Sequence, residues 1–300
     1  MAESSSHSQK ISTHLWFDKE AKAAAEFYVS TFSDAVIRSS SRLNNTPSGS
    51  ADLVTIELYG QEFTLISAGP LFRFNPSVSF LVSCQTREEV DSLWAGLSEG
   101  GEVMMELGSY PFSERYGWIQ DKYGLSWQLM FSAEREVGQI IVPTLMFVGD
   151  VAGRALEAIN FYADVFHHSA IGGIMRYGAG EEPDEEGTIK YSRVTLEGVD
   201  FGAMDSARGH GFAFNEAISF IVHCKDQAEI DYYWEELSAV PEAEQCGWLK
   251  DRFGLSWQVV PDVMEEMLGS NDQAKIDRVT EAFLQMKKFD IAKLQEVYEG

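Results

Sequence analysis

Three hundred residues, 45% hydrophobic and 23% charged, give an ordinary globular composition with room for about two domains. The formal net charge of −24 repels phosphate backbones and anionic lipid, which argues against nucleic-acid and membrane-surface partners. No apolar run approaches the ~18 residues of a membrane span, the polar start MAESSSHSQK lacks the apolar stretch of a secretory signal, and the three cysteines, Cys84, Cys224 and Cys246, fit reduced thiols in a cytoplasmic protein better than a disulfide framework.

Residues 1–10 read as a disordered tail. A strand over Ile11–Phe17 leads into a helix whose apolar face carries Ala23, Phe27, Tyr28 and Phe32. Strands follow over Ala35–Ser41, Asp52–Tyr59 and Glu62–Ser67, the last two joined by the turn Tyr59-Gly60-Gln61. Val78–Cys84 opens a second round, with a helix bearing Val90, Leu93, Trp94 and Leu97 and a glycine-bounded hairpin through Asp121–Gly124. From Val142 the pattern begins again: a strand to Val148, a helix face of Ile159, Tyr162, Val165 and Phe166, and a turn at Glu197-Gly198-Val199. The acidic run Glu181–Glu186 between them reads as a solvated loop, since it lacks the spaced ligands of a calcium loop. A strand over Ile218–Cys224, a helix with Ile230, Tyr233, Trp234 and Leu237, and a hairpin through Asp251–Gly254 close the pattern. After Pro261, Asn271 or Asp272 caps a helix with Ile276, Val279, Phe283 and Met286 on its apolar face, and Asp290 caps a shorter one with Ile291, Leu294 and Val297. This extension is expected to pack on the domains or at a dimer contact.

The second half repeats the first. Tyr116–Gln128 recurs 130 residues on as Cys246–Gln258, with Gly-Trp, Asp and Gly-Leu-Ser-Trp-Gln in the same places. Phe72-Arg73-Phe74-Asn75 recurs as Phe212-Ala213-Phe214-Asn215, and Phe27-Tyr28 as Phe161-Tyr162. The stretch from Leu97 to Trp118 is ten residues longer than that from Leu237 to Trp248. The chain therefore reads as two copies of one domain, 11–135 and 140–262, with a helical extension over 263–300. Each copy is a strand–helix–three-strand module twice over, an α+β pattern rather than a doubly wound parallel sheet.

With Leu15-Trp16-Phe17 ahead of a helix ending Phe27-Tyr28, Phe-Asn at 74–75 and 214–215, and Gly-Trp…Asp…Gly-Leu-Ser-Trp-Gln in both copies, the sequence resembles the vicinal-oxygen-chelate superfamily of glyoxalase I, bleomycin-binding proteins and extradiol dioxygenases. The closer resemblance is to its PhnB-like branch, often labelled demethylubiquinone-methyltransferase-like. It implies tandem glyoxalase-like domains whose paired βαβββ modules form cupped mixed sheets. A tandem chain of this kind resembles a fused homodimer, a pseudo-dimer within one chain that leaves further homo-oligomerisation open. In metal-dependent relatives a His near the centre of the first strand and a Glu on the last strand hold a divalent metal. By position that Glu falls on Gln128 and Gln258, and the His near Ser12, with His14 two residues on and on the same face. The matching positions of the second copy are read as Pro143 and Leu145. A neutral amide is a poor substitute for a carboxylate ligand, so no cofactor is expected and a divalent metal is disfavoured, His14 being the best single ligand or base candidate, with Glu57 or Glu62 as the further ligands a metal would need.

Strand alternation turns Ser126 and Gln128 to one face and Trp127 and Leu129 to the other, and likewise Ser256 and Gln258. With Ser12, His14 and Trp16, these are the candidate lining residues of the cups. Trp118 and Trp248 are expected in the core, Asn75 and Asn215 as turn formers, and Asp121 and Asp251 as the residues that set the hairpin. The preferred reading is a protein that binds a small polar or aromatic molecule in a sheet cup without a tightly held metal. The alternative is a metal-dependent lyase, isomerase or dioxygenase using His14. Methyltransfer ranks below both, because Gly178-Ala-Gly180 leads into the acidic run instead of opening a helix. Whether the protein is an enzyme stays open at this stage.

Overall fold

The computed structural model describes residues 9–133 and 138–300, so most of the expected N-terminal tail, 1–8, lies outside the described residues. Four modules follow one another. The first runs β1 (Ile11–Phe17), α1 (Ala21–Thr31), β2 (Ala35–Thr46), β3 (Gly49–Leu58) and β4 (Gln61–Ser67). The second runs β5 (Val78–Cys84), α2 (Arg87–Ser98), β6 (Glu102–Tyr110), β7 (Ser113–Gln120) and β8 (Ser126–Phe131). The third runs β9 (Ile141–Phe147), α3 (Ala155–Val165), β10 (Ser169–Arg176), β11 (Ile189–Leu196) and β12 (Val199–Asp205). The fourth has β13 (Ile218–Cys224), α4 (Gln227–Leu237), β14 (Trp248–Lys250) and β15 (Ser256–Pro261), and α5 (Val263–Leu268), α6 (Gln273–Phe283) and α7 (Ile291–Glu299) follow it.

In every module the last strand lies parallel beside the first: β4 on β1, β8 on β5, β12 on β9 and β15 on β13. The other edge of each first strand is left open, and an open edge needs a partner. The chain closes these edges across the repeats. β1 pairs antiparallel with β13, and β9 with β5. The result is a seven-stranded sheet of order β14-β15-β13-β1-β4-β3-β2 and an eight-stranded sheet of order β10-β11-β12-β9-β5-β8-β7-β6. Two compact units follow from this pairing. The first takes the chain up to Val29, Asp34–Arg73 and Asn215–Gly300; the second takes Ser30–Ser33 and Phe74–Phe214. The stretches 11–135 and 140–262 are thus repeats of sequence, and each unit of structure joins half of one to half of the other.

The repeated motif explains itself as a turn device. Asp121 Oδ1 accepts from the backbone N–H of Tyr123 (2.8 Å) and Leu125 (3.1 Å), while Oδ2 accepts from Trp127 Nε1 (2.9 Å). Asp251 does the same with Phe253, Leu255 and Trp257 at 2.8, 3.1 and 2.9 Å. Trp127 and Trp257 are wholly buried. Asn75 and Asn215 form turns as expected, accepting from the N–H of Ser77 and Ala217. On α1 the buried face is Ala21, Ala24, Ala25 and Tyr28, with Ala23 outward. Within the acidic run, Asp184 is buried and accepts from Ala207 N–H at 2.6 Å, so that loop is anchored rather than wholly solvated.

The fourth module departs from the expected pattern. Its ten missing residues remove any counterpart of β6, and β14 keeps three residues where β7 has eight. The C-terminal extension takes that place in the first unit. Cys246 N–H donates to Met286 O (2.8 Å), Gly247 N–H to Lys287 O (2.7 Å) and Gln245 Nε2 to Leu284 O (2.8 Å). Gly247 is left-handed at φ +80°, and a Cβ there would lie 2.5 Å from the Phe289 ring, so only glycine fits. Ile276 of α6 packs with Leu43, Ala51, Ile66, Leu268 and Phe283. Asp272 and Asp290 cap α6 and α7 through their carboxylates, as N-cap chemistry predicts.

Candidate functional site

The register of the two sheets allows a residue-by-residue comparison of the two units. In the first unit one row across the strands reads Lys250, Ser256, Ser219, His14, Thr64 and Thr55. The same row of the second unit reads Gln120, Ser126, Ser79, Thr144, Gly202 and Arg193. The next row is Trp248, Gln258, Ile221 and Ser12 in the first unit, and Trp118, Gln128, Leu81 and Val142 in the second. Thr144 and Val142 are therefore the counterparts of His14 and Ser12, which corrects the sequence alignment to Pro143 and Leu145 by one residue. In a strand that single step moves a side chain to the other face.

The polar groups of the second unit satisfy one another. Gln128 Nε2 donates to Ser79 Oγ (2.8 Å), its Oε1 accepts from Tyr116 Oη (2.6 Å), and Trp118 Nε1 donates to Ser126 Oγ (2.7 Å). Leu81, Tyr116 and Val142 form a core cluster joined by Met105, Tyr110, Trp118, Met130 and Tyr191. Burial pushes the Tyr116 phenol far above its ordinary range, as expected for a hydroxyl that donates inside an apolar cluster.

The first unit keeps the motif and loses its partners. Gln258 Nε2 still donates to Ser219 Oγ (2.9 Å). Cys246, however, stands in the sequence place of Tyr116, with a left-handed backbone tied to the extension. Trp248 makes edge contacts with His14 (5.2 Å, 89°) and Trp16 (6.0 Å, 78°). Ser256 Oγ and His14 Nδ1 are both buried without a hydrogen-bond partner among the described residues. An unmet buried polar atom of this kind costs about 1–3 kcal/mol. His14 is 4% exposed, and burial holds its imidazole down to about 3, so it is neutral at ordinary pH. Ser12 Oγ shares a 2.7 Å hydrogen bond with His223 Nε2. His14, Trp16, His223, Trp248 and Gln258 line one cavity of about 1390 Å³, walled on another side by α5 and α6.

A family model described as 3-demethylubiquinone-9 3-methyltransferase matches residues 9–130 and again 139–260. The chain belongs to this family. It is a tandem member, similar to single-copy PhnB-like proteins. Among solved structures, a putative 3-demethylubiquinone-9 3-methyltransferase, the PhnB protein of Bacillus cereus, is 43% identical over 41% of this chain and 100% of its own, with a TM-score of 0.39. Glyoxalase I from Zea mays aligns over 87% of this chain and 98% of its own at 11% identity and a TM-score of 0.52, which speaks for the fold alone. No curated protein matches the sequence.

The divalent metal that the superfamily implies does not fit the residues present. His14 is flanked in its row by Ser219 and Thr64, and the last strand offers Gln258. Among the described residues no three His, Cys, Asp or Glu side chains gather to hold an ion. From the sheet around His14 a hard cation would receive neutral, mostly hydroxyl and amide donors, the weak end of the ligand range, and the cavity's glutamates gather into no cluster of three with it among the described residues.

Five of the seven cup candidates, Ser12, His14, Trp16, Ser256 and Gln258, belong to the first unit, while Ser126 and Gln128 sit in the second with their polar atoms engaged internally. His14 and Gln128 share a sequence repeat but not a sheet. Of the two tryptophans expected in the core, Trp118 is partly buried against the cluster of Leu81, Tyr116 and Val142, while Trp248 is half-buried on the cavity wall. Sequence reasoning put His223 and Ser219 on a strand but named neither them nor Thr64 among the site candidates. The signal available for His223 was the mismatch between the repeats, His223 against Ser83, at an otherwise matched strand position.

Proposed function

We propose that the first unit binds a small, polar, aromatic molecule in its cavity and holds no tightly bound metal there. The observation that carries this reading is His14, a residue of the cavity lining whose buried Nδ1 has no hydrogen-bond partner among the described residues, where the second unit has Thr144 with its hydroxyl 3.3 Å from Val142 O. Buried polar atoms are ordinarily satisfied, so a ligand atom is the natural complement. Trp16 and Trp248 supply ring surface beside it, and Gln258 supplies an amide. The second unit is proposed as the structural partner, its equivalent space filled by its own aromatic and aliphatic side chains. The methyltransferase name of the family is not carried over. Gly178-Ala-Gly180 and Gly209-His210-Gly211 both lie in loops and open no helix, so neither forms the glycine turn of a nucleotide-like cofactor site.

The test combines two measurements on the full chain. Metal content after dialysis against manganese, zinc, iron and nickel is expected to stay well below one ion per chain. A thermal-shift screen of aromatic metabolites is expected to give stabilisation that His14→Thr abolishes. One tightly held ion per chain, lost in His14→Thr, would overturn the metal-free reading. A screen with no ligand, or with ligands indifferent to His14→Thr, would overturn the binding reading.

A further inference from the structure

Resting on that reading of the cavity, we propose that its ligand is a neutral phenol, donating its O–H to Gln258 Oε1 in the place that the Tyr116 side chain fills in the second unit. Gln128 and Gln258 stand at matched positions of their last strands, opposite Leu81 and Ile221. The Nε2 of each donates to a serine of the neighbouring strand, Ser79 at 2.8 Å and Ser219 at 2.9 Å, which turns both amides alike. In the second unit Oε1 is taken by the Tyr116 hydroxyl at 2.6 Å. In the first unit Oε1 has no hydrogen-bond partner among the described residues, and unlike His14 Nδ1 it is not sealed from solvent. Gln258 is 7% exposed and lines the cavity, so an oriented acceptor stands on the wall of an open space.

The walls around the missing ring are kept. Tyr116 shares its cluster with Leu81, Trp118, Met130 and Tyr191. The register puts Ile221, Trp248, Val260 and Leu53 at those four places in the first unit, and all four line the cavity. Cys246, in the sequence place of Tyr116, is too short to replace a phenol ring, and its Sγ accepts from Gln245 Nε2 at 3.3 Å. Trp248 brings a second complement. Trp118 Nε1 donates to Ser126 Oγ, whereas Ser256 Oγ is left without a partner and the Trp248 ring turns against His14 and Trp16. The Trp248 indole N–H thus donates to nothing among the described residues, on a side chain that lines the cavity. A phenol oxygen both donates and accepts, so one functional group suits an amide oxygen and an indole N–H. A phenolate or an aryl ether has no hydrogen to give Gln258, and a plain hydrocarbon leaves both atoms unmet.

Three probes separate the alternatives: p-cresol, which reproduces the tyrosine side chain, 4-methylanisole, which caps its hydroxyl, and toluene, which lacks it. Isothermal titration of the full chain with each at near-neutral pH reads the difference. Both comparison molecules are more apolar than p-cresol, so partition into an apolar space alone would rank p-cresol last. Instead p-cresol is expected to bind at one site per chain, about fivefold tighter than either. Gln258→Leu is expected to erase that preference and leave toluene unchanged. Because that variant also strands the Ser219 hydroxyl, Trp248→Phe, at a half-buried position, serves as the second: it is expected to weaken p-cresol about threefold and spare toluene. p-Cresol ranked with or below 4-methylanisole would overturn the phenol and leave the cavity as a ligand site of another chemistry. A preference for p-cresol that survives both variants would seat the hydroxyl elsewhere and overturn the assignment to Gln258. Binding of none of the three would overturn the phenol, whereas the binding reading itself falls only with the metabolite screen.

Discussion

The sharpest consequence of the His14 environment is a pH-dependent loss of stability assignable to one side chain. Its folded-state value is about 3 against an ordinary 6.5, with burial as the cause. Below about pH 6.5 the unfolded chain binds a proton that the folded chain refuses, so stability falls with pH at about 1.4 kcal/mol per unit and levels off only near the folded value. Acidification from about pH 7.5 to about pH 5 should therefore cost about 2 kcal/mol through His14 alone. The comparison chain is His14→Thr, since threonine already occupies the equivalent place at Thr144 in the second unit. Urea unfolding of both chains at both pH values gives a double difference in which the carboxylates and the other five histidines cancel. The wild-type chain should lose about 2 kcal/mol more than the variant. Equal losses in the two chains would refute a neutral, desolvated His14.

Three further outcomes follow from the geometry. Asp251→Ala removes the acceptor of three buried donors, and urea unfolding should show a loss of about 3 kcal/mol or more, matched by Asp121→Ala. Gly247→Ala forces a Cβ toward Phe289 from a left-handed backbone, so limited proteolysis should cut the C-terminal extension faster while the second unit resists as before. Tyr116→Phe leaves Gln128 Oε1 without its donor, which should cost about 1–3 kcal/mol in denaturant unfolding.

The repeat, the modules and the caps were legible because they rest on local chemistry. Asp121 and Asp251 bond donors two to six residues ahead, and Asp272 and Asp290 bond the first turns of their own helices. What was not legible depends on distant partners. Nothing local to Ile11–Phe17 shows that β1 pairs with β13, more than two hundred residues away, rather than with a strand of its own repeat. For the same reason His14, which shares a sequence repeat with Gln128, has Gln258 in its own sheet. The tryptophans misled through their size. Trp127 and Trp257 are wholly buried, Trp118 is partly buried against the second unit's core cluster and Trp248 lines the cavity, and only the alternation about a correctly placed sheet distinguishes them.

The departures of the fourth module form one physical sequence. In the second unit, β6 carries Met105 and Tyr110 onto the floor of the sheet, where with Tyr116, Leu81 and Val142 they fill the space and satisfy Gln128. Removing the β6 counterpart from the first unit takes those side chains away and strips the neighbouring edge of its hydrogen-bond partners. The extension repairs the edge with the carbonyls of Met286 and Lys287, yet what it brings over the sheet is α5 and α6. Glu265 and Glu266 on the first are now wall residues of a cavity, while Ile276 on the second packs into a small core with Leu43 and Ala51 at its edge. His14 can then stand where Thr144 stands in the other unit, at the lining of the cavity, with Ser12 bonded to His223 beside it. A chain that kept the β6 strand in its fourth module should bury the same positions in apolar contacts and hold no ligand there. Grafting residues 98–117 in place of 238–247 is thus expected to abolish whatever binding the thermal-shift screen detects. Undiminished binding in a folded graft would show that the loss of that strand did not open the site.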